Sequence, residues 1–183
     1  NNGFKKDLNC ELILLCASTI STLRILLNSE KESCDSGFID ASGKLGRYLM
    51  DHVSISKFFT IPHTGNFSKK SNDQAPLSGA GSFFIPFGTQ LPEDTDFLRG
   101  YGIWGAIDRL GIPSFLKKEE NESIGFLISH GEVLPRKKNR VKLSNQTDEW
   151  DIPIPNIEFE WSDNEYKMIK HMSNTMVKAI NYS

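Results

Sequence analysis

Hydrophobic positions along the chain fall into two contrasting regions. Near the start, Glu11-Leu-Ile-Leu-Leu-Cys16 is a short unbroken apolar run between polar residues. Such a run predicts a buried strand, of the kind a parallel sheet covers on both faces. Ala17-Ser18-Thr19 follows, with small hydroxyl residues suited to a helix N-cap. Ile20, Leu23, Ile25, Leu26 and Leu27 then give an approximate helical stripe that Asn28-Ser29 ends. Residues 11–28 thus read as strand, tight turn and helix, half of a βαβ unit. Residues 30–43 are polar and loop-like. Leu45, Leu49 and Val53 recur at helical spacing and predict a short helix over Lys44–Val53. Phe58–Gly81 is broken by Pro62, Gly65, Pro76 and Gly79 and reads mainly as loop.

The second region alternates instead. Ser82-Phe-Phe-Ile-Pro-Phe87 reads as a strand that its proline holds at a sheet edge. Ser123–Ser129 and Arg140–Ser144 alternate as strands. Ile157, Phe159 and Trp161 alternate with Glu158 and Glu160. Ser162-Asp-Asn-Glu165 matches a capping box, and Tyr166, Ile169, Met172, Met176, Val177 and Ile180 line the helix it opens. The Met172/Met176 pair reads as core. Strands followed by a helix, with tight polar turns, predict an α+β fold: an antiparallel sheet flanked by helices, with an N-terminal βα piece of a different sheet.

Composition bounds the rest. The 183 residues suffice for one domain or slightly more, and 38% hydrophobic with 24% charged residues argues against disorder. A net charge of −2 gives no electrostatic reason to expect nucleic acid or an anionic membrane as partner. No apolar stretch approaches the ~20 residues of a transmembrane helix. The three cysteines, Cys10, Cys16 and Cys34, form no CxxC pair, and Cys10 and Cys16 read as small buried hydrophobes. The chain opens on Asn1-Asn2-Gly3 without methionine and closes on Asn181-Tyr182-Ser183, which reads as a cut piece of a longer protein.

Candidate chemistry is sparse. Gly100-Tyr-Gly102-Ile-Trp-Gly105 spells G-x-G-x-x-G, but charged residues precede it where a dinucleotide site needs a buried strand. It reads as a glycine-rich strand or loop with Tyr101 and Trp104 facing a pocket. His52, His63, His130 and His171 are scattered, with no HExxH and no GxSxG nearby. No metal ligand set and no catalytic residue can be assigned.

Several stretches taken together resemble the GMC (glucose–methanol–choline) FAD-dependent oxidoreductases. Glu11–Ser18 with Ile20–Ser29 (ISTLRILLNS) is similar to a late strand and helix of that family's FAD domain. Leu45-Gly-Arg-Tyr-Leu-Met-Asp-His52 resembles its "vGr.lmDH" segment, the most specific single match. Asp96–Gly102 resembles the substrate domain of the sugar- and gluconate-dehydrogenase-like branch. Leu134-Pro135, Asn139–Leu143 and Trp150-Asp-Ile-Pro153 resemble the C-terminal "lP…NrVtL….D.wG.P" region, with Asp151 where the family has glycine. The family's N-terminal FAD fingerprint and its later His/Asn pair have no counterpart here.

The resemblance implies a partial flavoprotein. Residues 1–53 would be a partial FAD-domain segment and connection, and 54–183 a substrate-binding domain. Cys16, Ala17 and Ser18 would lie where a strand-to-helix turn approaches the ADP part of FAD. Phe97, Tyr101 and Trp104 would wall a substrate pocket. The parent would oxidise an alcohol, sugar or polyol by hydride transfer to FAD. The partner of this chain would be the remaining FAD-domain polypeptide, and alone the chain is expected to be inactive. The alternatives are one piece of a split enzyme and a non-catalytic binding module.

Overall fold

A computed structural model describes residues 6, 8–32, 40–62, 82–87, 95–107 and 122–182. The elements, in order, are α1 (Thr19–Glu32), β1 (His52–Pro62), β2 (Ser82–Phe87), β3 (Tyr101–Ile107), β4 (Glu122–Glu132), β5 (Arg140–Thr147), β6 (Pro153–Glu158) and α2 (Asp163–Asn181). The chain is therefore α+β, with a four-stranded antiparallel sheet, a two-stranded sheet and two helices. It divides into two compact units: Asn1–Leu49 with Arg136–Phe159, and Met50–Pro135 with Glu160–Ser183.

The first unit sets α1 on the β5–β6 hairpin. Ser18 caps α1: its hydroxyl accepts from the Ser21 N–H at 3.4 Å, and its carbonyl from the Thr22 N–H at 2.7 Å. From the helix face Arg24 reaches across to the turn before β6. It pairs with Asp148 at 2.6 Å and donates to the carbonyls of Pro153 and Ile152, at 2.8 Å each. The chain of residues 44–49 runs along β5 in extended and turn conformations. Val141 N–H donates to Gly46 O at 2.7 Å and Leu49 N–H to Asn139 O at 2.8 Å.

The helix predicted over Lys44–Val53 does not form. Gly46 (φ 72°) and Tyr48 (φ 59°) are both left-handed, and Val53 already belongs to β1. Helix propensity there loses to backbone pairing with β5. A Cβ on Gly46 would drive into the Val141 carbonyl, so the close approach requires glycine.

The buried strand predicted at 11–16 is also absent. The segment is irregular, and Leu12, Ile13 and Leu14 are 74%, 72% and 76% exposed. A strand needs neighbours to bond its backbone, and among the described residues none pairs with this one. Cys10 and Cys16 are correspondingly exposed rather than buried. Cys34 lies outside the described residues.

The second unit is a sheet in the order β1-β4-β3-β2, with α2 packed on one face. Phe58–Pro62, expected as loop, is the second half of β1. Position 63 and those following, to 81, lie outside the described residues. β2 is an edge strand, as Pro86 requires. Period-two alternation sends Val53, Ile103 and Leu127 toward the helix, where Met168, Met172 and Met176 meet them, all essentially fully buried. Each such side chain contributes about 1.5–3 kcal/mol of burial. The third alternating stretch is displaced from its expected place: β6 ends at Glu158, leaving Phe159 and Trp161 outside it and Ile157 exposed. Paired prolines at 153 and 155 start the strand early, against β5.

α2 begins where the sequence places it. Fully buried Glu165 accepts from the Ser162 N–H and hydroxyl, both at 2.6 Å, and from the Leu134 N–H at 3.1 Å. Burial pushes this carboxyl's pKa up, but the donors around it, led by the Ser162 hydroxyl, outweigh burial and hold it below its ordinary value.

Candidate functional site

The α2-free face of the four-stranded sheet carries the chemistry-bearing side chains. Cross-strand pairing puts His52 opposite Glu132, His130 between Ser54 on one side and Gly102 on the other, and Trp104 opposite Ile128. All of these point away from α2, because Val53, Gly131 and Tyr101, one position removed, point toward it. At one end of this face an open concavity of about 240 Å³ is lined by His52, Phe84, Pro86, Gly102, His130 and Glu132. His130 Nδ1 lies 2.7 Å from Ser54 Oγ, and the His52 and His130 rings meet edge-on with centroids 5.8 Å apart. Glu132 makes a loose 3.9 Å ion pair with Arg99. Farther along the same face Trp104 stands edge-on to Phe126 at 5.1 Å, with Phe58 beyond it at 6.5 Å from Phe126. Phe84 and Phe58 are exposed, whereas Trp104 is half-buried and Phe126 is buried.

The three residues predicted to wall a pocket do not share one surface. Trp104 is half-buried on the open face. Phe97 and Tyr101 are buried against α2. The Tyr101 hydroxyl lies 2.7 Å from His171 Nδ1 and 3.0 Å from Thr175 Oγ1, and Phe97 packs on the same His171 ring at 5.3 Å. Burial raises the Tyr101 pKa, an effect the bond with Thr175 offsets only in part. Odd and even positions of one strand face opposite ways, so residues 101 and 104 could not both have lined one wall. Tyr101 still borders the concavity at its floor, where it stacks on Phe87 at 4.9 Å.

Gly100–Gly105 leads into and forms most of β3, and it opens no helix. The glycines serve packing instead. This is the strand reading of the motif, and it leaves no seat for a pyrophosphate.

Cys16, Ala17 and Ser18 are exposed and lie just before the first turn of α1. Small exposed residues at a helix N-terminus suit approach by a phosphorylated cofactor. The strand that would back such a turn is missing from the described residues.

Sequence reasoning did not join His52, His130, Ser54 and Glu132. The signal was present as His130-x-Glu132, two residues of a strand on one face, but the register of β1 against β4 cannot be read from either strand alone. Among the described residues no group of three or more His, Cys, Asp or Glu side chains could hold a metal ion, and no helix is long and apolar enough to cross a membrane. Comparison of the chain with protein-family models and with curated proteins finds no match.

Proposed function

We propose that this chain is the substrate-binding portion of an FAD-dependent oxidoreductase of the GMC type, acting on an alcohol, sugar or polyol, and that alone it turns over no substrate. The observation that carries the reading is how the resembling stretches pack. Arg24, from ISTLRILLNS, holds the Asp148–Pro153 turn that contains Trp150-Asp-Ile-Pro. Gly46, from LGRYLMDH, lies against Val141 of the Asn139–Leu143 stretch. Three separated pieces of one family pattern therefore meet through specific bonds. Asp151, where the family has glycine, sits at φ 60°, a left-handed conformation that glycine adopts freely and aspartate tolerates.

In this reading the open sheet face is the substrate wall. Trp104, Phe84 and Phe58 offer flat apolar surface to a ring, and His52 and His130 offer polar edges for hydroxyl groups. FAD, when bound, supplies the hydride acceptor. Cys16, Ala17 and Ser18 would contribute only a close approach to its ADP half, so the grip on FAD must come from the remaining FAD-domain polypeptide. The exposed Leu12–Leu15 run favours a chain that works beside such a partner. No nucleic-acid or membrane partner enters the reading.

The test has two arms. Purified chain given FAD, a panel of alcohols and sugars and a redox dye should show neither bound flavin nor dye reduction; turnover overturns the claim of inactivity. Tryptophan fluorescence titration with the same panel should find a ligand whose binding Trp104→Ala abolishes. A panel without any binder removes the substrate-wall reading. The flanking coding sequence decides the family: absence of an upstream glycine-rich FAD fingerprint in the same operon or reading frame overturns it.

A further inference from the structure

We infer that Phe84, seated on Gly102, is the specificity-determining residue of the open sheet face, and that it selects a ligand with one hydroxylated ring over an open-chain polyol. The inference rests on the substrate-wall reading and narrows it. The concavity exists because β3 lacks a side chain at its centre: Gly102 stands between Pro86 of β2 and His130 of β4 in one cross-strand row. The hollow of about 240 Å³ is smaller than the ~300–1,000 Å³ of pockets that enclose drug-sized molecules, so its size suits a single ring.

Phe84 does not stay in its own row. Its backbone partner on β3 is Trp104, yet its ring reaches along the sheet to lie over Gly102. A Cβ added to Gly102 would stand 2.6 Å from both Cε2 and Cζ of that ring. Carbon atoms in contact keep about 3.5–4.0 Å, so any side chain at position 102 must displace the ring. Phe84 is 65% exposed, so the ring rests on glycine backbone and still presents most of its surface outward. Gly102 is thus a positioning residue, and Phe84 is the group that meets the ligand.

Polar groups border the same hollow from β4. His130 has Nδ1 engaged with Ser54 Oγ at 2.7 Å and keeps Nε2 for a ligand hydroxyl. Glu132 lies two residues along the strand and is exposed. Phe84 and His130 are on strands separated by two sheet spacings, about 9.6 Å between strand axes. A ring ligand presents a flat C–H face and a rim of hydroxyls at once. Its face stacks on Phe84 while its rim reaches His130. An open-chain polyol has the hydroxyls without the rigid face, and it loses more torsional freedom on binding. The preference therefore comes from shape rather than from hydroxyl count.

The test is tryptophan-fluorescence titration of the whole chain with a panel of pyranoses, inositols and alditols. The tightest binder is expected to be cyclic and to bind about tenfold better than any alditol. Phe84→Ala should weaken that binder about tenfold, the scale of one lost ring contact, and erase the preference for rings. Gly102→Ala should weaken it in the parent and leave it unchanged in the Phe84→Ala background, because the added carbon acts only by displacing the ring. Circular dichroism checks that each variant folds; if Gly102→Ala does not, Phe84→Ala alone decides. An alditol that binds as tightly as any ring compound overturns the inference. So does a cyclic binder that Phe84→Ala leaves unchanged; if Trp104→Ala still abolishes its binding, the substrate-wall reading survives. A panel without any binder removes both.

Discussion

Replacing Glu165 by alanine should destabilise the second unit by about 3 kcal/mol. The carboxylate is fully buried and serves four donors: Ser162 N–H and hydroxyl at 2.6 Å, Leu134 N–H at 3.1 Å and the Asn164 amide at 3.3 Å. Hydrogen bonds to a charged acceptor contribute about 1.5–3 kcal/mol each, and a buried donor left unpaired costs a similar amount. The Ser162 hydroxyl and the Asn164 amide can turn to water. The two backbone N–H groups are less able to, and at the low end of that range they alone account for the loss. Glu165→Gln should cost about half as much, because one amide oxygen still accepts while the amide NH2 faces donors. The assay is urea unfolding followed by tryptophan fluorescence in a Trp150→Phe background. Trp150 is 60% exposed, and the remaining Trp104 and Trp161 both belong to the second unit. The midpoint should fall with the slope unchanged. The carboxyl's folded pKa lies below its unfolded value, so its stabilisation is complete above about pH 4.3 and fades as pH falls through the lowered value. Glu165→Gln should remove that part of the acid limb. A loss under about 1 kcal/mol for Glu165→Ala, or a glutamine variant equal to the parent, would refute the reasoning.

Three further outcomes concern the first unit. Gly46→Ala should cost at least about 2 kcal/mol, because the added carbon meets a backbone oxygen and the φ of 72° is left-handed; an unfolding free energy within about 0.5 kcal/mol of the parent would contradict it. Asp151→Gly should be neutral or stabilising, whereas Asp151→Val should cost about 1–2 kcal/mol at φ 60°, measured by thermal unfolding of the pair side by side. Asp148 has its pKa lowered first by the hydrogen bond from Arg24 and further by backbone donors, so the contact is kept above the unfolded carboxylate range and lost as pH drops through the lowered value. Arg24→Ala should move the Asp148 titration upward by NMR; an unmoved curve would separate the two residues.

What the sequence disclosed followed how local each determinant is. The capped helix at Ser162 was legible because cap, glutamate and apolar stripe all lie within one segment, and β4 and β5 were legible from alternation that needs no partner to be seen. Residues 11–16, which read as one strand of a larger sheet, are irregular here for the complementary reason. An unbroken apolar run states that two faces want cover, and it does not say whether a neighbouring strand exists to supply it. Lys44–Val53 failed similarly: its leucine spacing is helical, but Gly46 is there to let the backbone lie against Val141, ninety-odd residues on.

The candidate site shows the same division at finer scale. The resemblance groups Phe97, Tyr101 and Trp104 at one pocket, and strand geometry sets Tyr101 and Trp104 on opposite faces. His52, His130, Ser54 and Glu132 were separated by sequence distance and joined by register. A one-residue slip of β1 against β4 would turn His52 to the α2 side and dissolve the cluster while leaving every strand boundary intact. Val53 and Gly131 prevent that slip. A side chain on Gly131 would push on the ends of Met168 and Met172, so a glycine opposite buried Val53 lets α2 seat without moving them. The packing of the closed face therefore fixes which side chains the open face presents. Which side chains stand at positions 52 and 130 of that face thus depends on Gly131 and on two methionines of α2 on the opposite face.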